Sequence, residues 1–80
     1  MSQGLKQTAD TNAYALTRME LIGLTLAANG LGAAAIASRL ACSEAEIEAV
    51  LSEAEQKLGA NNRLHAITIA TRKGLIGIEV

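Results

Sequence analysis

The stretch from Ser43 to Gly59 carries a complete set of α-helix signals. Ser43 and Glu46 have the spacing of a capping box, in which the hydroxyl accepts the N3 amide and the carboxylate reaches back to the cap amide. Apolar residues then recur every three or four positions, which predicts one buried stripe. Gly59 is a typical helix stop, because glycine adopts the left-handed conformation at low cost. The residues assigned to the core are Ile47, Val50, Leu51, Ala54 and Leu58.

Three further segments carry comparable signals and predict an all-α fold of four helices. Thr17 and Glu20 form a second capping box. Two short helices joined by a tight turn, the second of them capped by Ser43, are typical of a helix-turn-helix. The other predicted helices run from the Thr17 cap to Asn29-Gly30, over about residues 33–40 with a turn at Ala41-Cys42, and from Asn61 or Asn62 to about Lys73, where Gly74 closes the helix.

The 80 residues suffice for one small domain. Residues 1–15 are polar and have no hydrophobic period, so they are predicted to be a flexible N-terminal arm. Residues 16–76 form the predicted domain and residues 77–80 a C-terminal tail. Tyr14, the only aromatic residue, is expected either to fold back on the core or to stabilise the arm. The core is rich in Ala and therefore thin, and dimerisation would stabilise it.

Composition excludes several kinds of site. Cys42 is the only cysteine and His65 the only histidine, so neither a disulfide within the chain nor a Cys/His metal site is expected. No carboxylate pair or nucleophile-base set is organised in the sequence, and we expect no enzyme activity and no cofactor. Residues 21–38 carry no charge, but Asn29, Gly30 and many Ala residues argue against a membrane span. The expected location is the cytoplasm.

Short landmarks spread over all four predicted helices support a family resemblance. They are Leu16-Thr17-Arg18-Met19-Glu20, Ala28-Asn29-Gly30-Leu31, Ile36-Ala37-Ser38-Arg39-Leu40, Ser43, Ile47, Lys57-Leu58-Gly59, Asn62-Arg63, Ala66-Ile67 and Gly74-Leu75-Ile76. In register and without gaps, residues 16–76 resemble the LuxR-type (GerE-type) helix-turn-helix domain. The resemblance implies a four-helix domain that is usually the output end of a bacterial regulator and is sometimes a whole protein by itself.

The same resemblance implies roles for the third and fourth helices. In that family the third helix enters the major groove of duplex DNA, and the fourth often forms a homodimer, which would read half-sites about one helical turn apart. The positions implied to face DNA are Glu46, Glu48, Ala49, Ser52, Glu53 and Gln56, with Arg39, Lys57 and Arg63 as cations. Those implied to form the dimer interface are Leu64, His65, Thr68, Ile69 and Arg72. The spacing of His65, Ile69 and Arg72 leaves two interpretations open, a plain half-exposed helix face or a dimer contact in which an exposed Ile69 is covered.

Departures from the family pattern make the third helix acidic. Five of the eight acidic residues lie between Glu44 and Glu55, and the net charge of the chain is −1. Where the family commonly reads Thr-Val-Lys, this chain reads Glu46-Ile47-Glu48, and Gly32-Ala33-Ala34-Ala35 replaces a polar cap and a lysine of the second helix. The frequent His and Arg further along the third helix are Val50 and Gln56. Each change lowers the affinity for a polyanion.

The size of the charge effect leaves two functions open. A charge pair at about 4 Å is worth roughly 1 kcal/mol in water and about 4 kcal/mol at an effective dielectric near 20. Specific DNA binding exceeds non-specific binding by only about 4 to 10 kcal/mol. The first hypothesis is a small single-domain transcriptional regulator whose DNA binding is weak or atypical. The alternative is an interaction module, an anti-activator that pairs with a full LuxR-type regulator through the fourth helix.

A third hypothesis is a structural remnant that keeps the fold without either activity. Two features favour DNA contact in spite of the glutamates. A glutamate in the groove can accept a hydrogen bond from the amino group of cytosine. From Lys57 to Ile78 the chain also carries four basic residues and no acidic one. The simplest interpretation of the individual glutamates remains a solvated helix surface.

Overall fold

Residues 14–77 are described in a computed structural model of the chain. They form four α-helices and no strand, which confirms the predicted all-α class. The predicted arm lies outside the described residues except for Tyr14 and Ala15, and the tail does so from residue 78 onward. No helix within residues 14–77 is long and apolar enough to cross a membrane. The helices are α1 (Arg18–Ala28), α2 (Ala33–Leu40), α3 (Glu44–Leu58) and α4 (Arg63–Arg72).

Both predicted capping boxes are present. The Thr17 hydroxyl accepts the Glu20 amide at 3.1 Å, and the Thr17 amide donates to the Glu20 carboxylate at 2.8 Å. At the start of α3 the corresponding distances between Ser43 and Glu46 are 3.0 and 2.8 Å. Each box satisfies backbone donors that the first helical turn leaves without partners. Local sequence therefore determines where α1 and α3 begin.

The other two helices begin differently. Asn62, and not Asn61, caps α4, since its side-chain oxygen accepts the His65 amide at 2.8 Å. Gly32 precedes α2 and makes no side-chain cap hydrogen bond, as the sequence predicts. The turn from α2 to α3 passes through Ala41, which adopts the left-handed conformation with φ of 59°. The Cys42 amide then donates to the Ala37 carbonyl at 2.9 Å and closes the end of α2.

Helix α3 lies at the centre of the domain and packs against the other three helices. The side chains of Leu24, Ile36, Ile47 and Leu51 are the largest that are fully buried. Four of the five α3 residues assigned to the core are buried, and the prediction is wrong for the fifth, Val50. Val50 is only half-buried, because its position in the helical turn places it at the edge of the face that contacts α1.

Gly23 brings α1 close to α3, a role that the sequence pattern did not predict. A Cβ atom at this position would lie 3.3 Å from Leu51 Cδ2, which is tighter than almost all such contacts. The missing side chain therefore lets the two helix backbones approach. Of the two alternatives for Tyr14, the structure supports packing, because this residue is half-buried against the core cluster. Ile76, near the C-terminal end of the described residues, is buried in the same cluster.

A buried ion pair joins α1 to α3. The Glu20 side chain is 5% exposed, and both of its carboxylate oxygens accept hydrogen bonds from Lys57 Nζ, at 3.0 and 3.1 Å. Lys57 also donates to the Ala15 carbonyl at 2.9 Å. Buried carboxylates require such partners, because desolvation of an uncompensated charge is costly. Glu20 thus completes the capping box of α1 and also binds the ammonium group of Lys57.

We expect Lys57→Met to destabilise the domain, because it keeps an apolar stem and leaves the Glu20 carboxylate without its cation. The free energy of unfolding should fall by about 1–3 kcal/mol, as measured by urea unfolding followed by circular dichroism. Lys73→Met is the matched control. Lys73 is exposed and forms no ion pair with a described residue, so a change below about 0.5 kcal/mol is expected. Equal losses in the two variants would contradict a stabilising role for the ion pair.

A reciprocal pair of substitutions tests the two left-handed turns that flank α3. Gly59 has φ of 68° and Ala41 has φ of 59°. We expect Gly59→Ala to destabilise, and Ala41→Gly to stabilise, the domain by about 1 kcal/mol, because a Cβ atom is unfavourable in this conformation. Gly77→Ala is the control, since its φ lies outside the left-handed region and an added Cβ atom would meet no heavy atom within 4 Å, so its effect should be a few tenths of a kcal/mol. Thermal unfolding midpoints that move in the same direction for both substitutions would contradict this explanation.

Candidate nucleic-acid interface

The face of α3 that points away from the core is neutral. Ala45, Ala49, Ser52 and Gln56 follow one another at helical spacing, and all four are exposed. Three of them, Ala49, Ser52 and Gln56, were implied to face DNA by the family resemblance. Ala45 was not singled out, although its position four residues before Ala49 is the signal that could have identified it. The centre of the candidate surface therefore carries short, uncharged side chains.

One flank of this face carries Glu46 and Glu53, with Lys57 one turn beyond Glu53. Glu46 is exposed, but its carboxylate is held by the Ser43 amide and hydroxyl in the capping box. Glu53 is exposed and forms no hydrogen bond or ion pair with a described residue. Lys57 is directed to Glu20 and Ala15, so its ammonium is already satisfied within the fold. This flank is acidic on its accessible side.

The other flank is formed by Glu48 and Glu55, which bind one guanidinium between them. Arg63 Nη2 donates to Glu48 at 2.9 Å, and Arg63 Nε donates to Glu55 at 3.2 Å. The side chains are 34% exposed for Arg63, 51% for Glu48 and 21% for Glu55. Burial acts to lower the pKa of Arg63, but the hydrogen bonds and the attraction of the two carboxylates exceed it and raise the pKa. Two carboxylates and one cation leave this flank acidic as well.

Of the three cations implied to face DNA, two are thus held in ion pairs by glutamates. Arg39, near the end of α2, is exposed and forms no ion pair with any residue in the range 14–77. The same holds for Arg18, Arg72 and Lys73 in this part of the chain. A helix in the major groove directs its outer face to base edges and its flanks toward the phosphates. In α3 the acidic residues lie on those flanks.

The predicted dimer surface on α4 contains an open apolar groove. The groove has a volume of about 410 Å³ and lies between the end of α1, at Ala27 and Ala28, and the outer side of α4. Leu64 is its most exposed apolar residue, with 72% of its surface accessible. The α4 residues that line the groove are Leu64, Ile67, Thr68, Thr71 and Arg72.

Two other residues of the predicted dimer surface do not line this groove. Ile69 is half-buried and packs against the core cluster, which agrees with the half-exposed helix face among the two interpretations of this side of α4. Its position places it between the buried residues Ala66 and Ala70 and the solvent. His65 is exposed, and its Nδ1 accepts the Asn61 amide at 3.0 Å in the turn before α4. The exposed apolar centre of the surface is therefore Leu64.

Sequence reasoning missed Glu20 as the partner of Lys57 and Glu55 as a partner of Arg63. Glu20 was recognised only as a capping residue, and Glu55 only as one of several glutamates. For Glu55 a local signal existed, because Glu48 and Glu55 lie seven residues apart and thus on one side of a helix. Glu20 offered no comparable signal, since Lys57 lies 37 residues further along the chain.

Comparisons with known proteins identify the family of the chain. A profile of the GerE family, "Bacterial regulatory proteins, luxR family", matches residues 14–70. The transcriptional regulatory protein YdfI of Bacillus subtilis (strain 168) is 43% identical over 68 residues, which represent 85% of this chain and 32% of that relative. The chain thus spans about a third of the relative's length. No solved structure matches significantly. With four helices in the expected order and a family match that extends from Tyr14 to Ala70, the chain belongs to the LuxR family of bacterial regulatory proteins.

Proposed function

We propose that this chain is a transcriptional regulator of the LuxR helix-turn-helix type that binds duplex DNA weakly and acts in the bacterial cytoplasm. One observation carries the proposal: Lys57 and Arg63, the cations at the edges of α3, are held by glutamates of the fold. Glu53 is exposed and forms no ion pair within residues 14–77. Phosphate attraction supplies most of non-specific DNA affinity, so cations that are already paired with glutamates weaken that affinity.

Base recognition by α3 remains compatible with these charges. Ser52 and Gln56 lie on the outer face and carry groups that can hydrogen-bond to base edges. Ala49 is small enough to contact a thymine methyl group. Arg39 offers a phosphate contact from α2. The combination favours a regulator that depends on base contacts and on two copies acting together more than on charge.

We expect the chain to bind random duplex DNA weakly, with a shallow dependence on salt between about 50 and 200 mM, as measured by fluorescence anisotropy. Glu53→Lys should tighten this binding about tenfold or more, because it replaces repulsion with attraction beside a phosphate. Arg39→Gln is the opposing variant and should weaken it further. Nanomolar binding of the unaltered chain at about 150 mM salt, or no response to Glu53→Lys, would contradict the proposal.

Dimerisation through α4 is the second part of the proposal. The exposed Leu64 side chain beside an open apolar groove supports a second subunit at this place, because exposed apolar surface of this kind is typical of an interface. Two copies related by a two-fold axis would present two α3 helices to half-sites about one turn of DNA apart. Leu64, Thr68 and Arg72 would then contact the partner.

We predict that the chain is a dimer at high micromolar concentration and that Leu64→Glu makes it monomeric, since a carboxylate in an apolar contact is costly. Analytical ultracentrifugation measures the mass. Gln56→Glu is the matched control: it also adds one carboxylate at an exposed position, but on α3, and the dimer should persist. A monomeric mass for the unaltered chain at high micromolar concentration would contradict this part of the proposal.

The anti-activator remains the second candidate, and the contrast between an acidic α3 and an apolar α4 groove favours it. In that case the groove would bind α4 of a full LuxR-type regulator and keep that regulator from DNA. Purified chain should then reduce DNA binding by a LuxR-type regulator of the same cell, and Leu64→Glu should abolish the effect. DNA binding by the chain itself, lost on Arg39→Gln, would instead support the first candidate.

A further inference from the structure

The guanidinium of Arg63 is held asymmetrically between its two carboxylates. Glu55, the more buried partner, accepts from Nε, whereas Glu48, the more exposed partner, accepts from Nη2. Glu48 and Glu55 lie two turns apart on α3, and Arg63 is the first residue of α4. Glu55 therefore binds the guanidinium at Nε, next to the aliphatic stem, and the more exposed Glu48 binds it at the terminal nitrogen Nη2.

A guanidinium in this position suits a phosphate group. Arginine binds phosphate and carboxylate with the same planar arrangement of donors, so one can replace the other. Replacement of Glu48 would leave the Nε bond to Glu55 intact, and the guanidinium would stay oriented. Exposed ion pairs contribute little, so an incoming polyanion has only a weak contact to displace.

We propose that Arg63 is a phosphate-binding residue of this surface and that Glu48 competes with phosphate for its terminal nitrogen Nη2. Glu48 would then lower polyanion affinity in two ways, through its own charge and by occupying Arg63. Glu53 is exposed on the opposite flank of α3 and forms no ion pair within residues 14–77, so it acts through its charge alone. The inference rests on the proposed DNA-binding function for its biological meaning, but it concerns polyanions in general.

The experiment compares Glu48→Gln with Glu53→Gln, two substitutions that each remove one negative charge from α3. Both should tighten binding of random duplex DNA at low salt. The gain should be larger for Glu48→Gln by about twofold to fivefold, the factor that an exposed ion pair is worth. Its salt dependence should also be steeper by about one phosphate contact. In an Arg63→Gln background the two substitutions should have equal effects.

A second probe separates this inference from the proposed function. Inorganic polyphosphate has phosphates but no bases, and its binding is measured by calorimetry together with the NMR signal of Arg63 Nε–H. If the larger gain appears with polyphosphate while no variant binds DNA, the inference holds and the proposed function fails. Equal gains for the two glutamate variants, or an excess that persists without Arg63, would overturn the inference. So would failure of every variant to bind either polyanion at low salt.

Circular dichroism of each variant provides the control for folding. Arg63 is partly exposed and its ion pairs lie at the surface, so Arg63→Gln should retain the helical spectrum and a cooperative transition. A purely structural role for the Glu48 contact would change the unfolding midpoint equally in the presence and absence of polyanion. The competition predicts instead that added polyphosphate stabilises Glu48→Gln more than Glu53→Gln.

Discussion

The ion pair between Glu20 and Lys57 is the contact on which the arrangement of α1 and α3 depends. It joins residues 37 positions apart, and it places a carboxylate with only 5% exposure against a cation from the last turn of α3. The same lysine binds the Ala15 carbonyl, so the chain that leads into α1 is held as well. Together with the close approach at Gly23, this contact orients the central helix. It also directs the ammonium of Lys57 inward.

On the other side of α3, the charge of Arg63 is likewise used for contacts within the fold. Its bonds to Glu48 and Glu55 hold the start of α4 against the central helix. In both places a cation that could attract phosphate contributes to tertiary structure. The outer face of α3 is neutral and its flanks are acidic, so the proposed affinity for DNA depends on base contacts, on Arg39, on displacement of Glu48 from Arg63 and on pairing of subunits. Both the weak binding and the dependence on a second subunit that we propose follow from this charge distribution.

Elements determined by neighbouring residues were predictable. Both capping boxes, the Asn62 cap within the two alternatives and the glycine after α3 follow from chemistry within one helical turn. Periodicity also identified Ile47, Leu51, Ala54 and Leu58 as buried. The assignment of Val50 to the core failed, because this residue lies at the edge of its helix face. At such positions the exposure depends on how closely the next helix packs, and a repeat of three or four residues carries no information about that.

The sequence by itself determined the four helices, the helix-turn-helix arrangement and the negative charge of α3. Only the tertiary structure decided which charges remain accessible. Glu46, Glu48 and Glu53 are equivalent in a count of charge, yet Glu46 caps a helix, Glu48 binds Arg63, and Glu53 is exposed with no partner among the described residues. The physical reason is the separation along the chain. An ion pair between distant residues forms only when the packed helices bring the charged side-chain atoms within about 3 Å, whereas a cap joins residues only three positions apart.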